Sequence, residues 1–197
     1  MSDRIRPAST ENAVTAIVTS LLAMREASDG TQLIAIDGPS GSGKTTFAGE
    51  LTRELQRRSA TVVSIALDDV YEGWEGMRSP HFESHLETWI ALPLRYGLRV
   101  HHPIYDWEAE RFVDWQTHPV SDFLIVEGVG ALLPPLANAA QCRVWLSAST
   151  DTVTRRLATR PGPNPEDWWP RWQSQESEYF REQEPWKTAD WDIRTDN

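Results

Sequence analysis

Disulfides, membrane-length apolar runs and a surplus of positive charge are all missing from this chain, and each absence removes a class of function. Of its 197 residues only Cys142 is a cysteine, so no intramolecular disulfide can form and a reducing, cytoplasmic setting is expected. Its apolar neighbours make it read as a small buried residue rather than a nucleophile. Lysine and arginine number 19 against 29 aspartates and glutamates, a formal net charge of −10. Coating nucleic acid or lying on an anionic membrane needs clustered Lys and Arg, so neither partner is expected. One phosphorylated ligand, held by a few local cations, is still compatible. No stretch approaches the roughly 20 apolar residues of a membrane span. The start, with Asp3, Arg4 and Arg6, does not resemble a secretory leader. With no repeat, low-complexity tract or linker, residues 1–197 are expected to form one domain.

What the chain does have is tryptophan, ten in all. Trp168, Trp169, Trp172 and Trp186 lie close together and are expected to pack a C-terminal helix. Upstream, apolar runs alternate with amphipathic ones. Val14, Ile17, Val18, Leu21 and Leu22 form one stripe of a helix over Thr10 to Ala27. Helices are also expected over Lys44 to Arg58, Phe82 to Leu94 and Thr150 to Thr159. Leu33–Ile36, Thr61–Leu67, Phe123–Val126 and Arg143–Leu146 read as strands, apolar throughout as in a parallel sheet covered on both faces. The proline-rich run from Pro161 to Pro170 reads as a surface loop. The alternation predicts an α/β domain with a central parallel sheet flanked by helices. Ligands in such folds bind beyond the carboxyl ends of the strands. Three of those ends carry a glycine loop, the Asp68-Asp69 pair and Glu127, which should therefore converge.

The loop is the sharpest signal. Gly38-Pro39-Ser40-Gly41-Ser42-Gly43-Lys44-Thr45 fits G-x-x-x-x-G-K-[ST] at every fixed position, between a buried strand and a helix. Its glycines let backbone N–H groups curl around phosphate oxygens, and the helix start adds its positive end. Gly38, Ser40, Gly41, Ser42, Gly43, Lys44, Thr45 and Thr46 are thus expected to hold ATP. Lys44, on a surface loop, would serve the β- and γ-phosphates, and Thr45 would complete a Mg²⁺ shell. Glu127, ending an apolar strand before glycine, sits where a carboxylate could support that ion, with a plain turn residue as the alternative. Asp68 could act as base or metal partner, or as a helix cap. Arg156 and Arg160, four apart on one helix face, could stabilise the transferring phosphoryl group or flank a solvated helix. Tyr71, Tyr105 and Trp107 could wall a flat acceptor, or be core.

Together these segments resemble the uridine kinase and phosphoribulokinase family of P-loop kinases, from Gln32 to Ile193. The loop spelling GPSGSGKTT is typical of it, and Leu67-Asp68-Asp69-Val70-Tyr71 is similar to its D-x-[FY]-Y segment. Pro103-Ile104-Tyr105-Asp106-Trp107 is similar to its acceptor-lining hairpin. Val126-Glu127-Gly128 matches its E-G strand end, Arg155 to Arg160 looks like the basic start of its lid, and Ala189 to Ile193 falls at its last strand. The resemblance implies a small lid over about 155–185 and an acceptor-site insertion over about 71–115. It also implies Asp68 as base, Tyr71 as a nucleoside contact and the hairpin as acceptor wall. Glu110-Arg111 stands where nucleoside kinases of the family carry His-x-Arg, which makes Arg111 the candidate acceptor contact and argues against a preference for uridine or cytidine.

The expected activity is transfer of the ATP γ-phosphate to a hydroxyl of a small metabolite, with Mg²⁺. Open alternatives are a non-nucleoside acceptor (pantothenate, a sugar or a sugar phosphate) and a nucleotide-binding ATPase or switch acting through a protein partner. A homo-oligomer is compatible with the sequence.

Overall fold

The computed structural model describes residues 5–7, 9–26, 30–159 and 165–196. Helix α1 (Thr10–Arg25) starts at Ser9, whose hydroxyl accepts the Asn12 N–H, as an N-cap should. Strand β1 (Gln32–Asp37) leads through the glycine loop into α2 (Lys44–Arg57). Next come β2 (Val62–Ala66) and a short 3₁₀ turn, Leu67–Asp69. The expected helix from Phe82 is broken into α3 (Phe82–His85), a π-helical segment (Leu86–Ala91) and α4 (Leu92–Arg95). Pro93 has no N–H to offer the Trp89 carbonyl, and the turns upstream of it widen. A hairpin, β3 (Val100–Asp106) and β4 (Arg111–His118), follows. The chain continues with β5 (Phe123–Glu127), α5 (Pro134–Ala137), β6 (Cys142–Ser147), α6 (Thr150–Ala158), α7 (Pro165–Gln183) and β7 (Trp191–Arg194).

Five strands form one parallel sheet in the order β2-β5-β1-β6-β7, and β3 and β4 pair separately and antiparallel. Side chains alternate across the sheet, so each all-apolar strand supplies two cores. Ile34, Ile36, Phe123, Ile125, Val144 and Leu146 pack under α1 and α2. On the opposite face Leu33, Ile65, Leu124 and Val126 join Tyr71, Phe82, Leu86, Trp172 and Tyr179. Helix α7 is therefore a core element of that second layer.

The expected loop from Pro161 to Pro170 needs correction. Residues 161–164 lie outside the described set, but Pro165 opens α7 and Pro170 lies inside it. Proline is favoured at a first helical position, and the buried aromatic face that follows holds the helix despite the bond lost at Pro170.

Candidate active site

Sheet register brings the polar strand ends together. Ile36 of β1 and Ala66 of β2 both align with Glu127 of β5, so the glycine loop, the Asp68 turn and Glu127 share one edge. Gly43 caps α2 with φ +92, a left-handed conformation that glycine adopts without strain. At Gly38 a Cβ would lie 2.2 Å from the Leu146 carbonyl oxygen, so the strand can turn into the loop only without a side chain. The N–H groups of Lys44, Thr45 and Thr46 open α2 and have no intrahelical acceptor. Unpaired N–H groups at a helix start suit an anion.

Lys44 is buried, contrary to the surface position expected, and its Nζ donates to the carbonyls of Gly38 (2.8 Å) and Pro39 (3.1 Å). Thr45 donates its hydroxyl to Glu127 Oε1 at 2.8 Å. These two residues were separate expectations, and the fold joins them. An oxygen set made of a hydroxyl and nearby carboxylates suits a hard divalent cation such as Mg²⁺.

Sequence reading missed Asp37, the last residue of β1. Its carboxylate is fully buried and accepts the N–H groups of Gly38 (2.7 Å), Gly130 (3.2 Å) and Leu132 (2.9 Å), with the Tyr179 hydroxyl at 2.6 Å. Burial outweighs these donors and the nearby Lys44 charge, and pushes its pKa up to about 6. The available signal was a charged residue ending an apolar strand directly before the loop. Trp172, Glu176 and Tyr179 of α7 were missed too. Ser40 donates its N–H to Glu176 Oε1 at 2.7 Å, and the Trp172 indole donates to Ser40 Oγ at 2.9 Å.

On the acceptor side the expectations divide. Asp68 is half-buried in its 3₁₀ turn, and the Trp107 indole holds its carbonyl at 3.1 Å. Tyr105 packs edge-on to Trp107, and Trp107 lies 4.4 Å from Trp74, which stacks on Trp168 of α7. Tyr71 is not part of this wall. It is wholly buried, packs against Phe82 and Trp172, and donates its hydroxyl to the Val129 carbonyl at 2.7 Å. Its side chain points into the core, where the carboxylates of Asp68, Asp37, Glu127 and Glu176 push its pKa up, after burial itself. Arg111 is exposed opposite Asp106 at the hairpin tip. Between the segment after β2 and α7 lies an open cleft of about 580 Å³, lined in part by Glu72, Glu75, Arg78, Arg171 and Glu178. No glycine-loop residue lines this cleft.

Arg156 reaches the back of the loop. Its guanidinium donates to the Gly41 carbonyl (3.0 Å) and to the Thr195 hydroxyl (3.1 Å) and carbonyl (2.6 Å). That arrangement braces the loop against the chain beyond β7, a different task from the phosphoryl contact expected. Arg160 lies outside the described residues.

A strand–glycine-loop–helix unit with a buried lysine, and a hydroxyl–carboxylate pair at its mouth, defines a P-loop nucleotide-binding domain. Residues 34–184 match the AAA_18 family, described as an AAA domain, and the chain belongs to it. Uridine kinases are among its curated relatives, and its fold is that of P-loop kinases. It is 28% identical over 172 residues to inorganic pyrophosphatase TTM1 of Arabidopsis thaliana, covering 82% of this chain and 26% of that protein. The chain thus spans about a quarter of the length of the first curated relatives it matches. With uridine kinase of Ureaplasma parvum serovar 3 it shares 28% identity over 142 residues, 65% of this chain and 68% of that protein. Its fold is similar to that of a possible uridine kinase from Bacillus stearothermophilus, with a TM-score of 0.66 at 22% identity, over 91% of this chain and 96% of that one.

Proposed function

We propose that the protein is an ATP-dependent kinase that phosphorylates a hydroxyl of a small metabolite. The observation that carries this reading is the convergence of Lys44, the Thr45–Glu127 pair and the Asp68 turn at one sheet edge. Phosphoryl transfer needs mainly positioning and charge neutralisation, and this edge offers both. The loop N–H groups and Lys44 hold the phosphates. Asp68 takes the proton of the acceptor hydroxyl as its oxygen bonds to the γ-phosphorus. The bond from that phosphorus to the bridging oxygen breaks, and ADP leaves with the electron pair. Thr45, Glu127 and Asp68 would hold Mg²⁺, which neutralises phosphate charge when bound. Trp107 steadies Asp68 through its carbonyl.

The acceptor reading rests on charge. Asp68 and Glu127 stand at the sheet edge beside the loop, whereas the outer cleft, apart from the loop, carries Glu72, Glu75 and Glu178 together with Arg78 and Arg171, with Arg78 ion-paired to Glu178 and Glu182. The acidic sheet edge favours an acceptor rich in hydrogen-bond donors, a polyol or an amino alcohol, over a carboxylate or a sugar phosphate. Asp68→Asn keeps the shape and cannot accept the proton. Turnover in this variant should fall at least about 100-fold, the low end for a general base, with ATP affinity little changed. Turnover within a few-fold of wild type would make Asp68 a capping residue and place the base elsewhere.

A further inference from the structure

Helix α7 turns three polar-tipped side chains onto the glycine loop. Trp172, Glu176 and Tyr179 stand at i, i+4 and i+7, one face of a helix, and are 5%, 6% and 3% exposed. Two of them reach Ser40, and the third reaches the loop through Asp37 at the end of β1. Tyr179 donates to Asp37, which in turn accepts the Gly38 N–H. Glu176 accepts the Ser40 N–H, and Trp172 donates both to Ser40 Oγ and, at 3.3 Å, to Glu176 Oε1. Ser40 is thus gripped by its backbone and its hydroxyl at once, from a helix 132 residues away in sequence.

We propose that Glu176 is a positioning residue for the nucleotide: its carboxylate oxygen fixes the outer rim of the loop at Ser40. The Ser42 N–H is already held by the Pro39 carbonyl at 3.0 Å, and the N–H groups of Gly41, Gly43, Lys44 and Thr45 are then presented to the phosphates in their binding geometry. A carboxylate beside an anion site has a cost in repulsion, so the bond it makes must face away from the phosphates. The Ser40 N–H meets that condition by turning toward α7, whereas the groups that open α2 turn inward to the anion. Preorganisation is the gain, because a loop already held in its bound shape loses less entropy when ligand arrives. The Tyr71–Trp172 contact, with ring centroids 5.0 Å apart, extends the same grip to the segment that follows Asp68. Through Trp172 one helix holds both the phosphate loop and the turn that carries the base.

This inference rests on the loop binding nucleotide, so its test uses MgADP and needs no acceptor. Binding to the full-length protein is measured by titration calorimetry alongside thermal melting for wild type, Glu176→Ala, Glu176→Gln and Trp172→Phe. Glu176→Ala removes the acceptor, and MgADP binding should weaken about tenfold, the scale of one buried hydrogen bond. Glu176→Gln keeps an oxygen for the Ser40 N–H and should stay within about threefold of wild type. Trp172→Phe keeps the packing without the indole donor and should fall between the two. A purely structural role would lower the melting temperature of Glu176→Ala and leave its affinity intact, which overturns the proposal. Tighter binding in both Glu176 variants would also overturn it, because the carboxylate would then be a competitor of phosphate. Should Glu176→Ala fail to fold, Glu176→Gln decides, since a folded Gln variant that has lost MgADP refutes the idea. Wild type that binds no MgADP sinks the nucleotide reading itself, a result separable from all of these.

Discussion

At Asp37 burial and hydrogen bonding pull in opposite directions, and burial wins. A carboxyl held at about 6, against 3.8 for an ordinary aspartate, keeps its proton in the folded state over a range where the unfolded chain has lost it. From about pH 4 to 6 the folded state therefore binds more protons than the unfolded one. The contribution of this group to stability falls as pH rises through that window, by on the order of 3 kcal/mol at full effect. Asp37→Asn stays neutral throughout. The stability advantage of wild type over this variant should be largest near the acid end and narrow toward neutrality, as read by urea unfolding at several pH values. Parallel curves would mean that Asp37 does not titrate in this range. Lys44 is the second informative residue. Its ammonium serves two loop carbonyls in a buried position, so Lys44→Ala removes the positive charge offered to the phosphates and leaves the Gly38 carbonyl short of a donor, while that of Pro39 keeps the Ser42 N–H. Nucleotide-dependent turnover should drop by at least about 100-fold, as for loss of other preorganised electrostatic groups. Because the buried Gly38 carbonyl is left unsatisfied, about 1–3 kcal/mol of stability should be lost as well, visible as a lower melting temperature.

Among the elements, the β3–β4 hairpin hides a histidine pair that its sequence did not announce. His102 and His118 sit across the strands with their Nε2 atoms 3.0 Å apart, and His102 Nδ1 lies 3.0 Å from the Pro103 carbonyl. Burial lowers both pKa values, and the charge of His102 lowers that of His118 further, while Asp69 pulls His102 the other way. Lowered values mean that the unfolded chain takes up protons first as pH falls below about 6.5, so the hairpin loses stability on acidification. His118→Gln removes one titrating member of the pair. Its melting temperature should drop less than that of wild type between about pH 7.5 and 5.5, with about 2–4 °C expected per kcal/mol for a chain of this size. An equal drop would show that the pair plays no part in acid sensitivity. Helix α7 teaches a related lesson. Proline content made its first turns read as loop, yet Trp168, Trp172 and Tyr179 carry enough buried aromatic surface to override local propensity.

At the scale of the whole molecule, the sheet edge gathers acid. Asp37, Asp68, Glu127 and Glu176 all act on the buried Tyr71 hydroxyl, while the outer cleft sets Glu72, Glu75 and Glu178 against Arg78 and Arg171. An anionic acceptor would enter against this field. Measured kcat/KM across nucleosides, sugars, sugar phosphates and amino alcohols should place neutral or cationic polyhydroxy compounds first. Uridine or cytidine outranking every other acceptor by tenfold or more would overturn that expectation. MgADP in excess should raise the melting temperature, since a ligand at about 100 times its dissociation constant adds roughly 2.7 kcal/mol to stability. No rise at millimolar MgADP would contradict the nucleotide site.

The phosphate loop, the buried parallel strands and the polar residues at their ends were legible in the sequence because each depends on neighbours in the chain. Gly38 to Thr45 needs only its own spacing. The run Phe123–Glu127 needs only its unbroken apolarity and the acid that ends it. Tertiary structure decided the rest. Sequence could not tell that Tyr71 turns inward to Val129 while Trp107 turns to Asp68, because both are aromatics beside polar residues. Nor could it assign Arg156 to the back of the loop or Glu176 to Ser40. Those partners lie 115 and 136 residues apart, and local propensity carries no information across such distances. Only the parallel sheet, by lining up its strand ends and laying α7 across them, brings these groups within reach of one another.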